Sequence, residues 1–204
     1  MEWSQALAAA KDIVLATAGG VTAFVALSGL KRWKEELQGK AGFEVARSVA
    51  LATYRLRDEI HSCRSPLVSG PEFPDWYHQR ANRTPEEEAE AWSHVYKNRW
   101  EPVKAATSEF DAQVLEGEAL WGKAFREKTD LLRSCVQELR VAIEEVLEYK
   151  TSGGTYFGFD KNWAQQMRRI VSGTPTSKDN PMSDRVAAAV DSIEKELRKH
   201  LGRS

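Results

Sequence analysis

Cysteine and histidine are scarce in this chain of 204 residues, which has two cysteines and four histidines. Cys63 and Cys135 lie far apart in segments with helical patterning, and one possible bridge cannot form the disulfide framework of a domain this large. No histidine has a second histidine or a cysteine four positions away, which excludes a recognisable zinc motif. We expect two reduced, buried thiols. A bridge between Cys63 and Cys135 becomes possible only if the domain is secreted.

Recognisable catalytic motifs are also missing. The sequence has no G-x-S-x-G elbow, no H-E-x-x-H, no dinucleotide-binding glycine fingerprint and no paired-aspartate calcium loop. The glycine-rich segment 151–159 lacks the spacing and the lysine of a phosphate-binding P-loop. We expect no enzyme activity, no cofactor and no metal, with an enzyme built from scattered residues as the open alternative.

The sequence also lacks an excess of positive or negative charge, because the formal net charge is -1 and no basic block occurs. This balance excludes the electrostatic footprint of a nucleic-acid-binding protein. The chain is 42% hydrophobic and 29% charged, which is typical of a folded globular protein.

One uncharged run stands out near the N-terminus, from Ile13 to Leu30. As a helix it would be roughly 27 Å long, which just spans a thin bilayer. Its Ile, Val, Leu and Phe residues favour insertion by about 2 to 5 kcal/mol before the glycines, threonines and Ser28 are subtracted. We predict a single transmembrane helix over residues 13–30. The residues assigned to this anchor and its border are Ile13, Leu15, Val21, Phe24, Leu27, Leu30, Lys31, Arg32 and Trp33.

The flanking charges predict the orientation of this helix. Lys31, Arg32 and Lys34 follow the run, whereas only Lys11, offset by two acidic residues, precedes it. By the positive-inside rule the C-terminal side stays in the cytoplasm. The predicted organisation is a short extension (1–12), a membrane helix (13–30) and a cytoplasmic helical domain (31–204).

Other interpretations of the run are weaker. A cleavable signal peptide requires a positive start and few positive charges after the run, and both requirements fail. An interfacial helix requires a polar face, which the run lacks. A buried core helix in a soluble protein stays open because alanine and glycine are frequent.

The pairs Ala16 with Gly20 and Gly19 with Ala23 also resemble a small-xxx-small face through which the helix could self-associate.

The remainder of the chain predicts an all-α fold of long antiparallel helices, as a coiled-coil-like hairpin or a bundle. A first helical stripe comprises Phe43, Ala46, Ala50, Tyr54, Arg57 and Ile60. A proline-rich loop spans residues 65–83, and its apolar side chains are expected to pack on the helices. Thr84 followed by Pro85 and three glutamates predicts a helix start, and Pro102 is expected to kink or interrupt that helix.

Residues 103–150 form the longest periodic segment, with Gly117 and Gly122 as possible bends. A short turn of glycines and aromatics follows at residues 151–159. Two amphipathic helices complete the prediction, one from an Asp160 cap to Gly173 and one from a Ser183 cap to Leu201.

The junction between anchor and domain contains Trp33, Leu37, Gly39 and Lys40, and farther on the turn Arg64-Ser65-Pro66-Leu67. Over residues 30–70 this pattern resembles a set of uncharacterised bacterial proteins with an N-terminal membrane helix and a W-x-x-x-L-x-G-K segment. The resemblance implies a location in the bacterial inner membrane and no particular activity.

Five polar residues lie on or beside the first helical stripe: Glu44, Arg47, Tyr54, Arg57 and Asp58. They are expected to form a buried network that fixes the helix register, with a ligand or partner site as the alternative.

Three functions fit these features. The first is a membrane-anchored helical scaffold, sensor or protein-interaction module whose partners are the lipid bilayer and another protein or a second copy of itself. The second is a membrane-acting effector of a bacterial defence or toxin system. The third is a soluble helical protein with the first segment in its core.

Overall fold

The computed structural model describes residues 2–152, 161–174 and 179–202, with the backbone alone at residues 2–27, 35 and 161. These residues form five α-helices and two short 3-10 helices, and no strand occurs among them. The α-helices are α1 (Glu2–Cys63), α2 (Pro85–Trp121), α3 (Lys123–Thr151), α4 (Lys161–Val171) and α5 (Pro181–Leu201). The 3-10 helices, Gly70–Glu72 and Asp75–Gln79, lie between α1 and α2. The prediction of an all-α fold with long helices is confirmed for this part of the chain.

Two compact units divide the chain, Met1–Glu44 and Val45–Ser204. In the first unit the backbone of α1 is helical from Glu2 onward. Its side chains are described from Ser28, and Leu30, Trp33 and Leu37 are 61%, 62% and 51% exposed.

Most of the predicted membrane helix falls on residues 13–27, whose side chains lie outside the described part of the structure. Where residues are described, none of the helices combines the length and the apolarity that a membrane crossing requires.

The second unit is a helical bundle in which α2 and α3 form an antiparallel hairpin. Gly122 separates the two helices in a backbone conformation with φ of 80°, which a side chain would strain. Arg126 pairs with Glu118 at 2.7 Å close to this turn, and Arg133 pairs with Asp111 at 2.7 Å farther from it. The ion pairs therefore follow the hairpin from its turn outward, and Gly122, the C-terminal of the two predicted bends, is the break.

The last part of α1 contributes a narrow stripe to the core. Its fully buried positions alternate in steps of three and four residues, as in a helix that packs along a partner helix. They are Ala46, Val49, Thr53, Leu56, Ile60 and Cys63. The predicted stripe shares Ala46 and Ile60 with it, but Phe43 is 43% exposed. The buried face is rotated from the predicted one because small residues and Thr53, whose hydroxyl donates to the Val49 carbonyl, allow close packing.

The start of α2 confirms its predicted cap. The Thr84 hydroxyl accepts from the Glu87 amide at 3.2 Å, and the Glu87 carboxylate accepts from the Thr84 amide at 3.1 Å. Two N–H groups at the helix start thus gain partners. Farther along, α2 continues through Pro102, so no interruption occurs there.

The last helix, α5, buries the positions that its helical spacing predicts. Val186, Val190, Ile193 and Leu197 of α5 are buried, as the periodicity predicts. The predicted Ser183 cap is wrong, because the Asn180 side chain caps α5 by accepting from the Ser183 amide at 3.1 Å. The expected Asp160 cap and the glycine-aromatic turn lie outside the described residues, except for Thr151 and Ser152 at the end of α3.

Both thiols are free and buried, as predicted, with exposures of 1% for Cys63 and 0% for Cys135. Burial raises the pKa of Cys63 to about 11 and also raises the pKa of Cys135. A thiolate is the nucleophile in alkylation, so both groups are poorly reactive in the folded chain.

We expect iodoacetamide at pH 8 to label neither thiol of the folded protein on the time scale of minutes and both in denaturant. Mass spectrometry of quenched samples measures this. Ser134→Cys, an exposed position beside Cys135 on α3, is the matched control and should react within minutes. Rapid labelling of Cys63 or Cys135 in the folded protein contradicts the buried placement.

Candidate functional site

A cleft of about 530 Å³ opens on the second unit where four segments meet. The loop after α1, the middle of α2, the end of α3 and most of α4 contribute to its walls. The lining residues are Ser65, Pro66, Val68, Trp92, Tyr96, Arg99, Val146, Tyr149, Lys150, Trp163, Ala164, Gln165, Met167, Arg168, Arg169, Val171 and Ser172. Its volume falls within the range of small-molecule sites.

Aromatic rings form one wall of the cleft. The rings of Trp92 and Tyr96 lie on α2 with centroids 6.0 Å apart. Phe73 packs edge-on against Trp92 at 5.4 Å, and the Trp92 indole N–H donates to the Glu88 carboxylate at 2.8 Å. These contacts hold the indole in one orientation, so the wall is formed before any ligand arrives. Tyr96 is buried, and Trp92 and Trp100 are partly buried where they pack against the hydrophobic core.

Cations line the same cleft, and none of its described lining residues is Asp or Glu. The Lys150 ammonium lies 4.5 Å from the centre of the Trp92 ring. Its pKa is lowered, first by burial and then by the nearby charge of Arg168, against the opposing influence of Glu88. The Glu88 carboxylate already accepts from Trp92, Arg83 and the Tyr77 hydroxyl. Among the described lining residues no carboxylate balances these positive charges, and the acidic group that acts on Lys150 is Glu88, outside that lining.

Arg99 forms the floor of the cleft and fastens the end of α1. Its guanidinium donates to the carbonyls of Ser65 and Leu67, both at 2.7 Å, and pairs with Glu72 at 2.5 Å. It also reaches the carbonyl of Cys63, the last residue of α1, at 3.5 Å, and a cation is favourable there because C-terminal carbonyls lack partners within the helix. Chiefly through the hydrogen bond from Arg99, the pKa of Glu72 is lowered to about 2.

The Arg99 and Glu72 pair predicts a specific acid sensitivity. A carboxylate with a lowered pKa in the folded state stabilises the fold above the unfolded-state value of 4.5, and this stabilisation is lost as the pH falls from 4.5 toward 2. Glu72 is 31% exposed, so solvent screening reduces the effect. We expect Glu72→Gln to lower the free energy of unfolding by about 1 to 2 kcal/mol at pH 6. This difference from the parent chain should shrink progressively as the pH falls below 4.5.

Urea unfolding of both proteins between pH 3 and 6 measures this difference. Glu109→Gln is the control, because it removes a more exposed ion pair with Arg55. It should cost less than about 1 kcal/mol. A difference for Glu72→Gln that stays constant over the whole pH range contradicts the assignment.

Arg64 occupies the junction behind the cleft and is completely buried. Its Nε donates to the Ile170 carbonyl at 2.6 Å, and its Nη2 donates to the Arg169 carbonyl at 3.2 Å. The same Nη2 donates to Asn180 Oδ1 at 2.9 Å, while Nη1 donates to the Ser183 hydroxyl at 3.1 Å. One side chain thus joins the end of α1 to the end of α4 and the start of α5.

No carboxylate pairs with Arg64 among the described residues. Its charge is balanced by the carbonyl end of α4, where the helix dipole is negative. Burial lowers the pKa of its guanidinium. Gly173 is required beside it, because a Cβ there would lie 2.7 Å from Asn180 Nδ2 and 2.9 Å from Arg64 Nη2. The Gly173 amide donates to the Arg64 carbonyl at 3.0 Å, which closes the junction.

The five polar residues predicted near the α1 stripe lie mainly at the surface. Glu44, Arg47 and Asp58 are exposed, and Tyr54 and Arg57 are half-buried. Arg57 donates to Asp58 at 2.8 Å and lies 5.0 Å from the Tyr54 ring centre. Their joint role as a network or a partner surface stays a prediction. Sequence reasoning missed Lys150 and Arg168, and it quoted Arg64 only as part of a turn.

The predicted anchor residues that the structure describes with side chains are Leu30, Lys31, Arg32 and Trp33, and all four are exposed. The other five, Ile13, Leu15, Val21, Phe24 and Leu27, lie outside the described side chains. No group of three or more His, Cys, Asp or Glu residues in the described part is arranged to hold a metal ion. The cleft accordingly offers rings and cations for binding, with no metal cluster beside them in that part.

The fold and the cleft define a helical-bundle protein with an aromatic and cationic pocket. No protein-family model, no curated protein and no solved structure matches the chain.

Proposed function

We propose that the chain is a membrane-anchored helical interaction module, held at the bacterial inner membrane by the first part of α1 with the bundle in the cytoplasm. The observation that carries this proposal is the exposed row of Leu30, Trp33 and Leu37, which begins at the last residue of the uncharged run and lies next to Lys31 and Arg32. Leucine and tryptophan beside basic residues suit the headgroup layer of an anionic bilayer.

The bundle supports the role of an interaction module. Its core is continuous over α1 to α5, and its polar surface groups are mostly joined in local ion pairs, as in Lys195 with Asp191. No motif assigns it a reaction. We infer that the bundle presents its surface to a protein partner or to a second copy of the chain, with the anchor restricting this encounter to the membrane.

Fractionation after expression in a bacterial host tests the anchor. The full chain should stay in the membrane pellet after an alkaline wash, and a chain without residues 1–32 should move to the supernatant. The double substitution Val21→Arg with Phe24→Arg should also release the chain, because each arginine costs about 2.5 to 3.5 kcal/mol at a helix centre. Val141→Arg, at a 52% exposed position of α3, is the matched control and should stay in the pellet.

Labelling tests the orientation. A maleimide that does not cross membranes should reach Ser4→Cys from outside the inner membrane, whereas Ser134→Cys should react only after permeabilisation. Release of the full chain by the alkaline wash contradicts the anchor, and labelling of Ser134→Cys from outside contradicts the orientation. Growth arrest on overexpression that disappears without residues 1–32 would favour the membrane-acting effector instead.

A further inference from the structure

The described lining of the cleft contains no Asp or Glu, and its cations besides Arg99 are Lys150, Arg168 and Arg169. The ammonium of Lys150 is half-buried over Trp92, and it makes no hydrogen bond or ion pair within the described chain. Arg168 enters the same cleft from α4, and its guanidinium makes no hydrogen bond or ion pair there either. Two like charges that share a cleft repel each other, so an anion that lies against both would be stabilised.

The aromatic wall defines the rest of a ligand. Trp92 and Tyr96 provide rings on α2, and Met167 provides a polarisable thioether on α4. Planar aromatic groups pack well against both kinds of side chain. The cleft volume of about 530 Å³ accommodates a small organic molecule and is much larger than a single inorganic anion.

We propose that this cleft binds a small planar aromatic compound that carries a phosphate or a carboxylate. The anionic group lies between Lys150 and Arg168, and the ring system lies in the cleft between α2 and α4. Arg99 is excluded as an anion ligand, because its guanidinium is already occupied by Glu72 and by the carbonyls of Ser65 and Leu67. Binding of this kind would make the bundle responsive to a metabolite, which is a property separate from membrane attachment.

The test uses calorimetric titration of the full chain in lipid nanodiscs, with empty nanodiscs as the blank. The probes are 2-naphthyl phosphate, its neutral counterpart 2-naphthol, and inorganic phosphate. We expect saturable binding of one 2-naphthyl phosphate per chain, at least tenfold tighter than either 2-naphthol or inorganic phosphate. The affinity should also fall with rising salt, because the charges are partly exposed.

Two variants assign the site, and two controls match them. Lys150→Gln and Arg168→Gln should each raise the Kd for 2-naphthyl phosphate at least fivefold, and the double variant should abolish binding. Lys128→Gln on the exposed face of α3 and Arg198→Gln on the exposed face of α5 should change the Kd less than twofold. Thermal unfolding without the probe verifies that all five variants are folded.

Three results overturn the proposal. They are no binding of 2-naphthyl phosphate, equal binding of 2-naphthol, and an affinity that the Lys150 and Arg168 variants leave unchanged. The Val21→Arg with Phe24→Arg chain, purified in detergent, should bind the probe as the parent chain does in the same detergent. This comparison separates a failure of the membrane-anchor proposal from a failure of the ligand-binding proposal.

Discussion

Replacing Arg64 with glutamine is expected to lower the free energy of unfolding by about 3 to 5 kcal/mol, a large part of the stability of a bundle this size. The side chain is 0% exposed and donates to four acceptors, two of which are carbonyls in the last turn of α4. Glutamine is too short to reach them. Buried acceptors without donors cost about 1 to 3 kcal/mol each, and relief of the desolvated charge offsets only part of this.

The geometry of the guanidinium also predicts the result for lysine. Arg64→Lys keeps the charge but has one ammonium in place of three nitrogens that point to different acceptors. It should therefore recover less than half of the lost stability. Urea unfolding followed by circular dichroism measures both variants. The control Arg55→Gln removes a guanidinium that is 63% exposed and should cost less than about 1 kcal/mol. A loss below 1 kcal/mol for Arg64→Gln contradicts the role of this junction.

Gly117→Ala is the second substitution with a large expected effect, and it is expected to destabilise the bundle by about 2 kcal/mol. Alanine normally stabilises a helix interior relative to glycine by about 1 kcal/mol. Here the added Cβ would lie 2.4 Å from Cε1 of Phe125, whose side chain is 2% exposed and has little room to move. The close contact of α2 and α3 next to their turn thus reverses the usual preference of a helix interior for alanine over glycine.

A second-site substitution tests the steric reason for this loss. Phe125→Leu removes the ring that meets the new methyl group, so Gly117→Ala should cost less in that background than in the parent chain. Gly42→Ala is the matched control, because nothing lies within 4 Å of a Cβ there, and it should cause no loss. Thermal unfolding measures the parent chain, the two single variants, the double variant and the Gly42→Ala control. Additive effects of Gly117→Ala and Phe125→Leu would contradict the contact.

Local patterns predicted much of this fold. The buried faces of α3 and α5 follow from apolar residues at helical spacing, and the start of α2 follows from Thr84 and Pro85. Pro102 shows the limit of such rules. It is exposed, so water can satisfy the carbonyl one turn before it, and packing of Val103 and Ala106 on the inner face keeps the helix intact.

The cleft and the Arg64 junction could not be predicted in the same way. Lys150 follows a helical pattern as an ordinary surface residue, and only the packing of α2, α3 and α4 places it over Trp92 and in the same cleft as Arg168. Arg64 and Ile170 are 106 positions apart, and no spacing in a single sequence connects them. Long-range packing determines both sites, whereas periodicity reports only local structure.

The 106 positions between Arg64 and Ile170 also affect the order in which the bundle folds. The hydrogen bond from Arg64 to the Ile170 carbonyl closes a loop of more than a hundred residues. Because closing a long loop costs chain entropy, we expect this bond to form only after the hairpin of α2 and α3 has brought the two ends together. Contacts that form after the rate-limiting barrier control how fast a native protein opens. We therefore expect the Arg64 junction to control the lifetime of the folded bundle more than the speed of its formation.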